Sequence, residues 1–232
     1  MRLRLQGELI SDEWAELYRW AGIQAGFYCA GDVLYATDQL ADGEELVLEI
    51  NSIGGDVDGA AEIYSALQRC QNPTRAEITG LAASAASYMI LACDRITIAT
   101  PAQMMIHCAS APAMGNKSDH RWTADMLDTV DLSILDTYVA RCGEAHRGEL
   151  QQMMEAETYL ASGQCVALGL CDGITGTEDG KLPEDLPMVA AGVTGSIVRA
   201  MRTLPDLTEL AAKRAASMKM QQALEQERRR YQ

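Results

Sequence analysis

Aromatic side chains are scarce in this chain: they make up 5% of its 232 residues, and Phe27 is the single phenylalanine. A core short of them has to rest on Leu, Ile, Val, Met and Ala, a palette that goes with closely packed helices and subunit interfaces. Basic residues are also few, with 19 Lys and Arg against 33 Asp and Glu and a formal net charge of −14. Phosphate backbones and anionic lipid surfaces are met by basic patches, so the charge argues against nucleic-acid and membrane-surface roles. The acidic balance serves solubility. Long apolar runs are missing too. The longest, Leu81 to Cys93, is broken by Ser84 and Ser87 and is too short to span a bilayer. The opening MRLRLQGELI lacks the charged-then-apolar order of a signal peptide.

None of the seven cysteines (29, 70, 93, 108, 142, 165 and 171) forms a CxxC pair. Several sit in apolar stretches, where a free thiol packs as a small hydrophobe. An odd count without a regular framework points to a reducing compartment, and the expected location is cytoplasmic. His107, His120 and His146 do not stand at ligand spacing with the cysteines, so neither a metal nor another cofactor is expected.

Residues 2–8 alternate as a first strand does, whereas 11–30 has no clear period. A helix is predicted over 31–42, ending at Gly43. Leu46 to Ile50 reads as a strand, followed by the turn Asn51-Ser-Ile-Gly-Gly55. A helix from Asp58 to Cys70 has its apolar positions at Ala60, Ile63, Tyr64 and Leu67. A strand at 75–79 passes through Gly80 into an Ala-rich helix at 84–92, and strands follow at 95–99 and 103–107. This strand, glycine turn and helix rhythm implies an α/β layered fold. Ser118 or Asp119 is a candidate cap for a long helix to Cys142, whose apolar residues are Trp122, Met126, Val130, Ile134, Leu135, Tyr138 and Val139. They cover much of its circumference, more than one domain face needs. Shorter helices are expected at 149–154 and from Ser162 to Gly169. An acidic linker, Gly176 to Pro187, precedes an Ala- and Met-rich helical tail at 189–232. The domain division is set at 1–180 and 181–232.

Four features carry the chemistry. Ser84, in Gly80-Leu-Ala-Ala-Ser-Ala-Ala-Ser87, is placed in the first turn of a helix, where free N–H groups and the dipole favour a developing anion. Alone, a serine in such a helix is more often a packing or capping residue. His107 ends an apolar strand and can act as general base toward a hydroxyl, because its ordinary pKa lies near neutrality. His120 and His146 read as surface residues. A third group must orient the imidazole and stabilise its charge. Glu157 and Glu155 are candidates, with Glu157 the better placed, and Asp172 follows the last helix. The fourth is Gly54-Gly55, where adjacent glycines let backbone N–H groups face a ligand. The Gly55 amide, with that of Ala85, can form an oxyanion hole.

Asn51-Ser-Ile-Gly-Gly-Asp-Val57, Gly80-Leu-Ala-Ala-Ser-Ala85, Met105-Ile-His107 and Glu157-Thr-Tyr-Leu-Ala161 through Asp172 resemble, in order and spacing, the Clp protease proteolytic subunit. The resemblance covers residues 45–175. It implies a serine endopeptidase with Ser84 as nucleophile, His107 as base, Glu157 as the triad acid and Gly55 with Ala85 as oxyanion donors. Gly54 and Ile53 fall in its substrate-binding loop. It implies a crotonase-like spiral of ββα units, a long oligomerisation helix, homo-oligomeric heptameric rings and an AAA+ unfoldase partner. Three departures stand out. Ile53 replaces the usual Pro, Glu157 replaces the usual Asp, and the first strand starts almost at Met1, leaving no room for a propeptide or axial segment. Together with the Gly80–Ser87 form, they look more like the phage and prophage branch, whose members include capsid maturation proteases with capsid proteins as partners.

Three other readings compete. A Ser/Lys peptidase of the same fold needs a lysine beside the elbow, and Lys117, Lys181, Lys213 and Lys219 are not placed there. An acyl-CoA hydratase or isomerase of the crotonase fold uses similar backbone amides but needs no Ser84 and His107 together. A structural paralogue in a capsid or ring would not require Ser84, His107 and an acid at 157 all together.

Overall fold

The computed structural model describes residues 1–176. Most of the expected linker and all of the expected helical tail lie outside the described residues. The chain divides into two compact units. The smaller, as far as it is described, is Glu13–Gln24, which carries most of helix α1 (Asp12–Trp20). Within it Trp14 meets Tyr18 one helical turn on, edge to face, with ring centroids 6.0 Å apart. This helix and the two-residue strand Phe27–Tyr28 account for the stretch whose period was unreadable. An amphipathic helix of nine residues followed by a glycine-rich turn is too short to set a clear period.

The larger unit holds the sheet. Its strands are β1 (Arg2–Leu9), β2 (Phe27–Tyr28), β3 (Leu46–Gly55), β4 (Thr74–Ala83), β5 (Arg95–Ile98), β6 (Gln103–Ile106), β7 (Thr158–Ala161) and β8 (Gly173–Ile174). Among the described residues the order is β2-β1-β3-β4-β5-β8, all parallel, with β6 parallel to β4 and β7 antiparallel to β6. The helices are α2 (Ala30–Asp38), α3 (Val57–Arg69), α4 (Ala85–Tyr88), α5 (Lys117–Cys142), α6 (Arg147–Glu155) and α7 (Ser162–Ala167). The expected α/β fold is present.

The strand pattern has period two, so alternate residues face opposite sides. Leu46, Leu48, Ile50, Ala76, Ile78, Ile96 and Ile98 point into one core with Ile63 and Leu67 of α3. Burying each large aliphatic side chain contributes about 1.5–3 kcal/mol. The opposite face is charged. Arg2 bridges Glu49 at 2.6 Å and Glu77 at 3.0 Å, Arg4 reaches Glu49 at 2.8 Å, and Arg75 pairs with Glu45 and Glu77.

Two expected turns are strand instead. β3 runs through Asn51 to Gly55, and β4 runs through Gly80 to Ala83. β4 changes neighbours on the way: Arg75–Ile78 pair with β5, and Leu81–Ala83 pair with β6. Gly80 sits at this change because the Asn51 side chain lies over it, 2.5 Å from where a Cβ would stand. The Asn51 carboxamide then accepts from the Leu81 N–H at 3.2 Å. The Ala-rich helix expected over 84–92 is four residues of α4 and then a 3₁₀ turn at Met89–Ala92. α2 stops at Asp38, short of Gly43. The cap of α5 is Asn116, not Ser118 or Asp119; its side chain accepts from the N–H groups of both, at 2.7 and 3.4 Å. Among its 26 residues only Ile134, Leu135, Tyr138 and Val139 are buried, all in the C-terminal third.

Candidate active site

The site grows from the end of β4. Ser84 stands between strand and helix with φ 55° and ψ −128°, a backbone shape that costs a non-glycine residue about 1–3 kcal/mol. Its N–H donates to the Met105 carbonyl of β6 at 2.8 Å, which locks the elbow to the strand that leads into His107. The Ser84 carbonyl accepts from the Ser87 N–H at 2.9 Å and from the Ser87 hydroxyl at 2.5 Å. The sharp turn lifts the Ser84 side chain out of the buried Ala83 and Ala85 to either side of it.

Gly54 and Gly55 meet this elbow from β3. A Cβ on Gly54 would stand 2.5 Å from the Ala83 carbonyl and 2.7 Å from the Ala85 nitrogen, and its φ is 84°. Glycine is required by space and by backbone angle alike. Gly55 is pressed on the end of β1, with the Leu9 carbonyl 2.0 Å from the Cβ position. Ser52 anchors the end of β3: its hydroxyl donates to the Gly7 carbonyl at 2.7 Å and accepts from the Gly54 N–H at 3.1 Å, with the Tyr28 hydroxyl 2.8 Å away. Gly55, Ser84, Ala85 and His107 line one small cleft of about 50 Å³. Val57, Tyr88 and Ile134 line both this cleft and an adjoining, mostly apolar groove of about 310 Å³ between α3 and α5. Ile53, the neighbour of the glycines, is half-buried in β3.

His107 follows β6 by one residue, and its Nε2 lies 2.6 Å from Ser84 Oγ. Burial holds its pKa below the ordinary 6.5, while the carboxylates of Glu157 and Asp131 pull it back up. The neutral, proton-accepting imidazole is therefore favoured near pH 7. Glu157 is brought beside it by pairing of β6 with β7, in which Ile106 faces Thr158. It occupies a left-handed turn with φ 51°, its N–H bonded to the Met154 carbonyl at 3.1 Å. Its carboxylate acts on His107 through charge: among the described residues no carboxylate oxygen is hydrogen-bonded to the ring.

Glu155 is exposed on α6 and accepts from Gln151 at 3.0 Å. Asp172 holds Arg141 at 2.7 Å and the Ile96 N–H at 2.6 Å, a structural task elsewhere. His120 is exposed, and His146 pairs with Glu149 at 3.2 Å. Lys117 is exposed at the start of α5 and lines no part of the cleft. Sequence reasoning missed Asp131, whose carboxylate accepts from the Ala109 N–H at 2.6 Å and so pins the loop after His107. It also missed Tyr138. Asp131, Ile134 and Tyr138 stand at i, i+3 and i+7, one face of α5 turned to the site, a spacing that reads equally well as an apolar packing stripe.

Among the described residues no cluster of three His, Cys, Asp or Glu side chains is placed to hold a metal ion. No described helix is long and apolar enough to cross a membrane.

A serine on a strained strand-to-helix elbow, hydrogen-bonded to a histidine and sharing its cleft with Gly55, is the arrangement of a serine hydrolase. The Clp protease family matches residues 29–178, and the chain belongs to that family; it is a serine-type peptidase. It is 29% identical over 145 residues to the ATP-dependent Clp protease proteolytic subunit 1 of Chlamydia muridarum, covering 61% of this chain and 75% of that protein. The subunit of the same description from Chlamydia abortus is 30% identical over 136 residues, 57% of this chain and 70% of its own length.

Proposed function

We propose that this chain is a serine endopeptidase whose nucleophile is Ser84 and whose general base is His107. The 2.6 Å contact between their reacting atoms, on an elbow held by Met105, carries the reading. His107 Nε2 takes the hydroxyl proton as Ser84 Oγ adds to the peptide carbonyl carbon. The resulting oxyanion rests on the N–H groups of Gly55 and Ala85. The imidazolium gives its proton to the leaving amine, the C–N bond breaks, and an acyl-serine remains. Water, deprotonated by the same imidazole, attacks the ester and releases the acid and Ser84. Glu157 stabilises the imidazolium. It favours the charged ring and stands at the turn that β7 sets beside the base.

The groove shared by Val57, Tyr88 and Ile134 offers an apolar side chain a place next to the attacked carbonyl. The end of β3 at Ile53 and Gly54 is the edge along which the substrate backbone runs. A homo-oligomer of heptameric rings is the proposed assembly. Its support is α5, where Trp122 is 68% and Leu132 60% exposed. Protein or peptide substrates follow, with an AAA+ unfoldase or capsid proteins as partners. The Gly80–Ser87 sequence and an acid one methylene longer than Asp at 157 favour the phage and prophage branch and a capsid maturation role. Residues 1–180 are the proposed peptidase domain, and 181–232 an appendage.

Cleavage of a fluorogenic peptide and of a capsid-type precursor protein, compared with Ser84→Ala, tests the reading. Peptide turnover that is lost in the variant is expected. Turnover that survives Ser84→Ala, or acyl-CoA thioester turnover in its place, overturns it.

A further inference from the structure

Ser84 keeps its strained backbone through contacts that the peptidase chemistry does not itself require. Its carbonyl accepts the Ser87 hydroxyl at 2.5 Å, and the Ser87 oxygen lies 2.5 Å from the Tyr138 hydroxyl. The direction of this chain follows from proton counting. A carbonyl can only accept, so Ser87 must spend its single proton on Ser84. The Ser87 oxygen then accepts, and Tyr138 donates. Ser87 is fully buried and Tyr138 is 1% exposed, so water does not replace either partner. Burial also drives the Tyr138 phenol pKa upward, which keeps its proton in place.

The position of this relay gives it a use. The carbonyl of Ser84 belongs to the same peptide unit as the N–H of Ala85, one of the two amides that line the cleft with Gly55. Fixing that carbonyl fixes the direction of the amide on its other side, because the peptide unit is planar. It also fixes ψ of Ser84 at −128°, and with it the path of the hydroxyl toward His107. Tyr138 reaches the site from α5, a different element from the β4 elbow. The Ser84 carbonyl also accepts the Ser87 N–H at 2.9 Å, and the Ser84 N–H donates to Met105 on the opposite side of the residue.

We infer that Tyr138 and Ser87 are positioning residues: a Tyr138 to Ser87 to Ser84 hydrogen-bond relay that aims the nucleophile and the Ala85 amide of the oxyanion hole. The inference rests on Ser84 being the nucleophile. Both hydroxyls are spent within the relay and both residues are buried, so the relay is expected to act on the rate of acylation and to leave substrate affinity alone.

The test is the rate of covalent inactivation by a fluorophosphonate, with kcat and KM for a peptide ester, in the full-length protein. Tyr138→Phe keeps the ring that fills the core and removes only the donor. A fall of about tenfold in the acylation rate and in kcat, with KM unchanged, is expected for one hydrogen bond of this kind. Ser87→Ala is expected to fall at least as far, and Ser87→Thr, which retains the hydroxyl, to recover most of the rate. The double variant Tyr138→Phe/Ser87→Ala is expected to match Ser87→Ala alone, since the two groups act in series. If Ser87→Ala does not fold, Tyr138→Phe and Ser87→Thr decide the matter. Tyr138→Phe inactivated at the wild-type rate, or a double variant whose loss is the product of the single losses, overturns the relay. Wild-type protein that takes no label on Ser84 overturns the catalytic reading beneath it, and the two failures are thereby told apart.

Discussion

Ser84 and Glu157 are the two non-glycine residues with positive φ among the described residues, at 55° and 51°. They stand at opposite ends of the proposed triad, with His107 between them. Strain of this kind persists only where surrounding contacts over-determine it. At Ser84 those contacts are Met105, Ser87 and the press of Gly54.

The strain at the elbow has a measurable consequence. Ser84→Gly and Ser84→Ala both remove the hydroxyl, but only glycine accepts the backbone angles freely. Urea denaturation is expected to find Ser84→Gly more stable than Ser84→Ala by about 1 kcal/mol. Equal stability would show that the elbow relaxes when the hydroxyl is gone.

The pH dependence of kcat/KM reads the free enzyme's base. His107 must be neutral to accept the proton, and burial lowers its pKa below 6.5. The midpoint of the acid limb is therefore expected below pH 6.5. The Glu157 carboxylate raises that pKa, so Glu157→Gln is expected to move the acid limb to still lower pH. It is also expected to reduce kcat roughly 10²–10⁴-fold, as loss of charge support for an imidazolium does. Asp131→Asn is expected to shift the limb in the same direction with a smaller loss of kcat. A larger loss in Asp131→Asn than in Glu157→Gln would assign the orienting acid to α5 instead.

Gly54 supplies no proposed reacting group, yet its substitution is expected to be severe. In Gly54→Ala the new methyl meets the Ala83 carbonyl and the Ala85 nitrogen within 2.7 Å, at a φ of 84°. The elbow and the amide of Ala85 have to move together. A loss of roughly 10²–10³ in kcat, as for an oxyanion donor, is expected with destabilisation of about 1–3 kcal/mol. Steady-state kinetics and thermal melting check both halves.

Much of this arrangement can be read from the chain. Ser84, His107, Gly54 and Gly55 are visible because each is an unusual residue at the end of an apolar run, and strand ends are where an α/β sheet places its chemistry. The period of α3 predicts its buried face, Ala60, Ile63 and Leu67. Other parts are hidden for physical reasons. Gly80 looks like a turn, but Asn51 covers it and β4 continues, changing neighbours from β5 to β6. A register shift of that kind depends on pairing between distant strands, which local pattern does not encode. Asn116 caps α5 where Ser118 or Asp119 is expected, and residue type does not separate them because all three are good caps. Asp131 and Tyr138 are brought to the site by α5 from more than twenty residues away, and on a helix of mixed character their shared face is not distinguishable from packing.

The central claim is that Ser84 is the nucleophile. Its most direct test is to treat the full-length protein with a fluorophosphonate and locate the adduct by peptide mass mapping. One adduct, on Ser84, is expected, formed in step with loss of peptidase activity, absent in Ser84→Ala and formed far more slowly in His107→Ala. An adduct on another residue that tracks the loss of activity, or full activity retained with Ser84 modified, would contradict it.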